Sequence, residues 1–192
     1  MPLSFHLSDA AQRWLSKTAR LSITTALAGR QSSPPEPGGD DLAAADRQLL
    51  ARVLGSFVTL TLQQRLRGCI GTILGHEPLY ANVWRMARAA AFEDPRFPPL
   101  RADEWLRASV AISVLDAPTP CPDPLAVEVG RHGLILQHQG HTGIFLPQVP
   151  VEQGWDRTAY LENLCHKAGL PPGTWQNTDA KLFWYEAQVF PA

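Results

Sequence analysis

A chain of 192 residues can bury one substantial core, or one core with a small subordinate lobe, but not an independent second domain of ordinary size. Its 45% hydrophobic and 18% charged residues exclude the low-hydrophobicity, high-charge composition of disordered chains. With 17 basic residues against 18 acidic ones, long-range attraction for polyanions is weak, so neither nucleic acid nor an anionic membrane surface is an expected partner.

Met1-Pro2-Leu3-Ser4-Phe5-His6 shows no basic run leading into an apolar one, as a secretory leader would. Ser8 and Asp9 supply N-cap chemistry. Ala11, Trp14, Leu15, Thr18 and Ser22 follow at helical spacing, which predicts an amphipathic helix over residues 8–29, stopped by Gly29. Residues 31–40 hold Pro and Gly and lack apolar side chains to bury, so an exposed loop is expected there. Alternation over residues 56–62 and again over 66–72, with a polar link centred on residue 64, predicts a β-hairpin. Leu79, Val83, Met86 or Ala87, and Ala90 form a helical stripe with Pro78 near its start, and Asp94-Pro95-Arg96-Phe97-Pro98-Pro99 cannot continue it. A strand over 109–115 comes next, then a hairpin from 134–137 and 143–146 about Gln139-Gly140-His141. A helix over 157–168, closed by Gly169, leads to a final strand over 182–189. Strands in hairpins, interrupted by helices without a βαβ rhythm, make the expected class α+β, with a mainly antiparallel sheet flanked by helices.

Cys69, Cys121 and Cys165 form an odd set at wide spacing, which fits neither a disulfide framework nor a paired-cysteine zinc site and points to a reducing compartment. No stretch reaches the roughly 18 apolar residues of a membrane span, so a cytoplasmic protein is expected. Arg far outnumbers Lys, and Ala and Pro are abundant, a composition that suggests a GC-rich bacterial genome.

In the strand over residues 66–72, alternation places Leu66 and Ile70 on the apolar face with Val58, Leu60 and Leu62. Arg67 and Cys69 then share the other face with Thr59 and Thr61. A guanidinium on the face of Cys69 would favour thiolate over thiol, and Gly68 and Gly71 would let another backbone or a ligand approach closely. The alternative is that the glycines mark a bulge and Cys69 is an inert, packed residue. Asp94 and Arg96 either line a cleft or tie down the loop after the helix by hydrogen bonds. His138 and His141 flank a turn with no third ligand nearby in sequence, which favours solvent-exposed histidines over a metal site. Cys165 falls on the apolar stripe of its helix, and His166 can pair with Glu162. There is no Gly-rich phosphate loop, nucleophile elbow or dinucleotide fingerprint, so neither a cofactor nor a metal is expected.

Phe57-Val58-Thr59-Leu60 followed by Leu66-Arg67-Gly68-Cys69-Ile70-Gly71 resembles the signature of the AMME chromosomal region (AMMECR) domain family. The likeness continues through Ala90-Ala91-Phe92, Asp94-Pro95-Arg96-Phe97-Pro98-Pro99-Leu100, Ile112-Ser113-Val114-Leu115, Leu146-Pro147-Gln148-Val149, Gly154-Trp155-Asp156 and Lys167-Ala168-Gly169-Leu170. It spans almost the whole chain. The resemblance implies an α+β fold with a larger and a smaller lobe and a cleft between them near the signature. It also implies association with a Memo-like protein and a radical SAM enzyme, often encoded beside similar proteins. It names no reaction, and two roles stay open. One is an enzyme or enzyme component, with Cys69 as nucleophile or thiol carrier, Arg67 holding the thiolate or an anionic substrate, and Gly68, Gly71, Asp94 and Arg96 shaping the cleft. The other is a non-catalytic module that binds a small molecule, a peptide or a partner protein through the same residues.

Overall fold

The computed structural model describes residues 3–39 and 41–192. Residues 1 and 2, read above for a leader, and residue 40 of the expected loop lie outside the described residues. The α+β class is observed, with two four-stranded sheets whose assigned pairings are antiparallel and which helices flank. The chain divides into two compact units, one of Ser4–Leu115 with Gln188–Ala192 and one centred on Asp116–Ala187.

The first unit opens with α1 (Asp9–Leu27), whose N-cap Ser8 accepts the Ala11 N–H and whose face of Ala11, Leu15, Ala19 and Ile23 is buried. Gly29, at φ 66°, ends it. Residues 30–39 form neither helix nor strand, and a short α2 (Ala44–Leu50), not expected from the sequence, follows. β1 (Gly55–Leu62) and β2 (Arg65–Thr72) make the hairpin, α3 (Leu79–Phe92) packs across both strands, and α4 (Ala102–Trp105) precedes β3 (Ala108–Leu115). With β8 (Ala187–Pro191) from the end of the chain, the sheet order is β2-β1-β3-β8, which leaves β2 at an edge. Val58 and Leu60 on β1 lie opposite Ile112 and Val110 on β3, and all four side chains are buried.

The second unit carries β4 (Thr119–Pro120), β5 (Gly133–His138), β6 (His141–Phe145), α5 (Gln148–Glu152), α6 (Arg157–Lys167) and β7 (Lys181–Tyr185), with sheet order β4-β7-β5-β6. Leu134, Leu136 and Leu182 from the sheet meet Tyr160, Leu161, Leu164 and Cys165 from α6 in one core. Cys165 is fully buried, as its place on the helix stripe requires.

The final strand differs from expectation: residues 182–189 do not form one strand. They divide into β7 and β8 (Ala187–Pro191), which belong to different sheets. Glu186 sits at the break. Its carbonyl accepts the Asp116 N–H and its carboxylate pairs with Arg131 at 2.8 Å, so its polar groups serve tertiary partners.

Candidate functional site

The signature segment Leu66–Gly71 lies within β2, and its pairing with β1 shifts register. Thr59 faces Cys69 and Leu60 faces Gly68, but Thr61 faces Leu66, which leaves Arg67 as the extra residue of a β-bulge. Simple alternation fails beyond that point. Leu66 is not on the core face but 43% exposed, and Arg67 is not on an open face beside Cys69 but 8% exposed. Its Nε and Nη2 donate to Glu104 Oε1 and Oε2 at 2.9 and 2.8 Å. This hydrogen bonding raises the Arg67 pKa, and Arg67, together with the Arg101 N–H, holds the Glu104 carboxyl down at about 2.

Cys69 is the centre of a second assembly. As a residue of an edge strand, it presents its N–H and C=O away from β1. Its N–H donates to Asp94 Oδ2 at 2.9 Å, and its carbonyl accepts from Arg96 Nη2 at 3.2 Å. Asp94 and Arg96 therefore substitute for a neighbouring strand at this one residue. They reach it because α3 ends at Phe92 and Pro95 blocks another helical turn. Asp94 is buried, and four donors converge on its carboxylate: the Arg96 N–H and Nε on Oδ1, the Cys69 N–H and Arg96 Nη2 on Oδ2. These bonds, Arg96's first, hold Asp94 far below the usual carboxylate range despite its burial. The Cys69 Sγ lies 3.3 Å from Thr59 Oγ1, on the face that alternation assigns to both, and the residue is partly exposed.

The glycines have occupants. A Cβ on Gly68 would drive into the carbonyl oxygen of Ala90, so Gly68 is the point where α3 approaches the strand backbone. A Cβ on Gly71 would meet the Phe57 ring. The close approach expected at these positions is thus made by a helix and an aromatic ring of the same unit. Phe97 completes the surface, with the Arg67 and Arg96 guanidinium carbons 5.9 and 5.5 Å from its ring centroid.

The other sequence candidates lie elsewhere. His138 is not a solvent-exposed turn residue: it is buried, with Nδ1 3.6 Å from Asp179 Oδ2, because it continues the inward-facing row of Leu134 and Leu136. His141 is exposed, and its Nδ1 lies 3.1 Å from the Ala168 carbonyl oxygen. Glu162 serves Trp175 Nε1 and the Gly173 N–H, both at 2.8 Å, where the sequence suggested His166. Burial raises the thiol pKa of Cys121 and Cys165. Among the described residues no cluster of His, Cys, Asp and Glu could hold a metal ion, and no helix is long and apolar enough to cross a membrane.

Sequence reasoning missed Glu104, the residue that determines where Arg67 points. Its available signal was the run Arg101-Ala102-Asp103-Glu104, in which an acid three residues after a helix start can bind back to the cap.

The AMMECR1 family model matches residues 16–190. A protein from Thermococcus gammatolerans is 38% identical over 97% of this chain and 92% of its own length. Protein NEQ441 from Nanoarchaeum equitans is 36% identical over 92% of this chain and 97% of its own. These two relatives are archaeal, so they lend nothing to a bacterial source. The crystal structure of uncharacterized protein PH0010 from Pyrococcus horikoshii superimposes with a TM-score of 0.86 at 35% identity, covering 97% of this chain and 94% of that one. Sequence, fold and the match over nearly the whole chain agree: this chain belongs to the AMMECR1 family.

Proposed function

We propose that this chain is a non-catalytic binding module that offers the β2 edge and its Asp94–Arg96 brace to a partner protein. The observation that carries this reading is the commitment of the reactive groups to one another. A general base needs a free lone pair near a proton to be taken, yet the Asp94 carboxylate accepts four internal hydrogen bonds and stays ionised. Arg67 is likewise spent on Glu104. What β2 and the loop after α3 present outward is recognition surface: exposed Leu66 and Arg65, half-exposed Arg96 and the Phe97 ring. The partners to test first are a Memo-like protein and a radical SAM enzyme. Calorimetric titration of each into the purified chain should give binding that Leu66→Asp and Arg96→Glu weaken at least about tenfold. Cys69→Ser should leave it intact. Equal binding by all variants would sink the proposal.

A second reading makes the chain an enzyme or enzyme component with Cys69 as nucleophile or thiol carrier. It is favoured by one observation: Cys69 is partly exposed, and the neighbouring guanidinium is Arg96, bonded to the carbonyl of Cys69 itself. Alkylation with peptide-level readout separates the two. On this second reading Cys69 reacts before Cys121 and Cys165, and Arg96→Ala slows it. If Cys69 resists labelling until the protein unfolds, that reading fails.

A further inference from the structure

Away from β2, a cavity of about 370 Å³ lies between α1 and the chain just before α2. That volume falls in the range of small-molecule sites. Leu42, 3% exposed, and the half-buried Trp14 give it apolar surface, and the Trp14 ring is fixed by an edge-on contact with Tyr80 at 6.4 Å. Arg13 and Lys17 line it from α1, one helical turn apart, and Asp41 and Gly38 line it from the loop.

The charges are the informative part. Like charges at this spacing on a helix repel. Arg13 and Lys17 nevertheless enter no ion pair among the described residues, although Asp41 lines the same cavity. Two cations and an acceptor, none of them in an ion pair among the described residues, thus line the same cavity as an aromatic ring. We propose that this cavity is a binding site for a small aromatic anion of the nucleoside monophosphate class. The phosphate lies between Arg13 and Lys17, the ring stacks on Trp14, and Asp41 accepts from a ring amino group or ribose hydroxyl.

The test is isothermal titration of the intact chain with adenosine monophosphate, inorganic phosphate and adenosine. The nucleotide should saturate one site per chain and lose affinity as salt rises. Each component alone should bind at least about tenfold more weakly, since neither makes both the ionic and the stacking contacts. Arg13→Gln and Lys17→Gln, both exposed positions, should each weaken binding about three- to tenfold while leaving circular dichroism unchanged. Should a variant misfold, the indole N–H resonance of Trp14, assigned with Trp14→Phe, decides on the unaltered chain: it must shift as nucleotide is added. Absence of saturation, equal binding by inorganic phosphate, unaffected Gln variants or an unmoved Trp14 signal would each overturn the proposal.

Discussion

At the scale of single residues, alternation was a good guide to Cys69 and a poor one to Arg67, for one physical reason. Thr59 and Cys69 sit on the regular side of the bulge, where period two holds, and the two side chains touch as alternation requires. Arg67 is the bulge, which the alternative reading of the glycines allowed beside Gly68 but which alternation alone could not place. The reversal has a measurable consequence. Arg67→Ala leaves Glu104 half-enclosed without its cation, which should cost about 2–3 kcal/mol in urea unfolding. Because Arg67 faces Glu104, the alkylation rate of Cys69 should change by less than about twofold. A large fall in that rate would restore Arg67 as the thiol's partner. Gly68 offers a sharper case. Any Cβ there meets helix backbone, which cannot swing aside as a side chain can, so Gly68→Ala should destabilise by about 2 kcal/mol or more, read as a lower denaturation midpoint at unchanged slope.

At the scale of elements, helices and hairpins were legible because their faces repeat. What escaped was short or depended on partners distant in sequence. α2 and α5 span too few residues to show periodicity. The break between β7 and β8 rests on Arg131 and Asp116, far from Glu186 along the chain. The hairpin turn was located correctly, but its chemistry is unusual. Gln63 and Gln64 have φ of 52° and 62°, a left-handed pair that an L side chain adopts at a cost, whereas the corresponding turn of the second unit uses Gln139-Gly140. Gln63→Asn with Gln64→Gly should therefore stabilise the protein by about 1 kcal/mol, seen as a rise of roughly 2–4 °C in Tm. No gain, or a loss, would mean that the glutamine side chains hold the turn through contacts that outweigh the backbone strain.

At the scale of the whole molecule, the α+β class followed from the order of elements, and the two units should respond differently to acid. His132, in the second unit, is buried against Trp184 at 4.5 Å, and its Nδ1 accepts the Glu128 N–H. Desolvation first, and the Arg131 charge second, lower its pKa from an ordinary 6.5. A histidine with a depressed folded-state pKa contributes fully above the unfolded value, and that contribution is lost as pH falls, because the unfolded chain takes up a proton that the folded one refuses. Asp94 and Glu104, in the first unit, are carboxylates with depressed pKa values, so their contribution persists down to their ordinary values of 3.8 and 4.5 and is lost only below them. Among these groups, only His132 acts between pH 6.5 and 4.5. Hydrogen exchange at about pH 5.5, compared with about pH 7.5 after correction for intrinsic rates, should show protection falling first in β5, β7 and α6, with β1, β2 and α3 unaffected. His132→Asn, which keeps an acceptor near the Nδ1 position without the titrating ring, should abolish that early loss while lowering stability at all pH values through the lost Trp184 contact. If β1 and β2 open first instead, the Asp94 and Glu104 assemblies are less secure at mild acidity than their hydrogen bonding indicates, and the brace on the β2 edge would be the first part of the protein to yield.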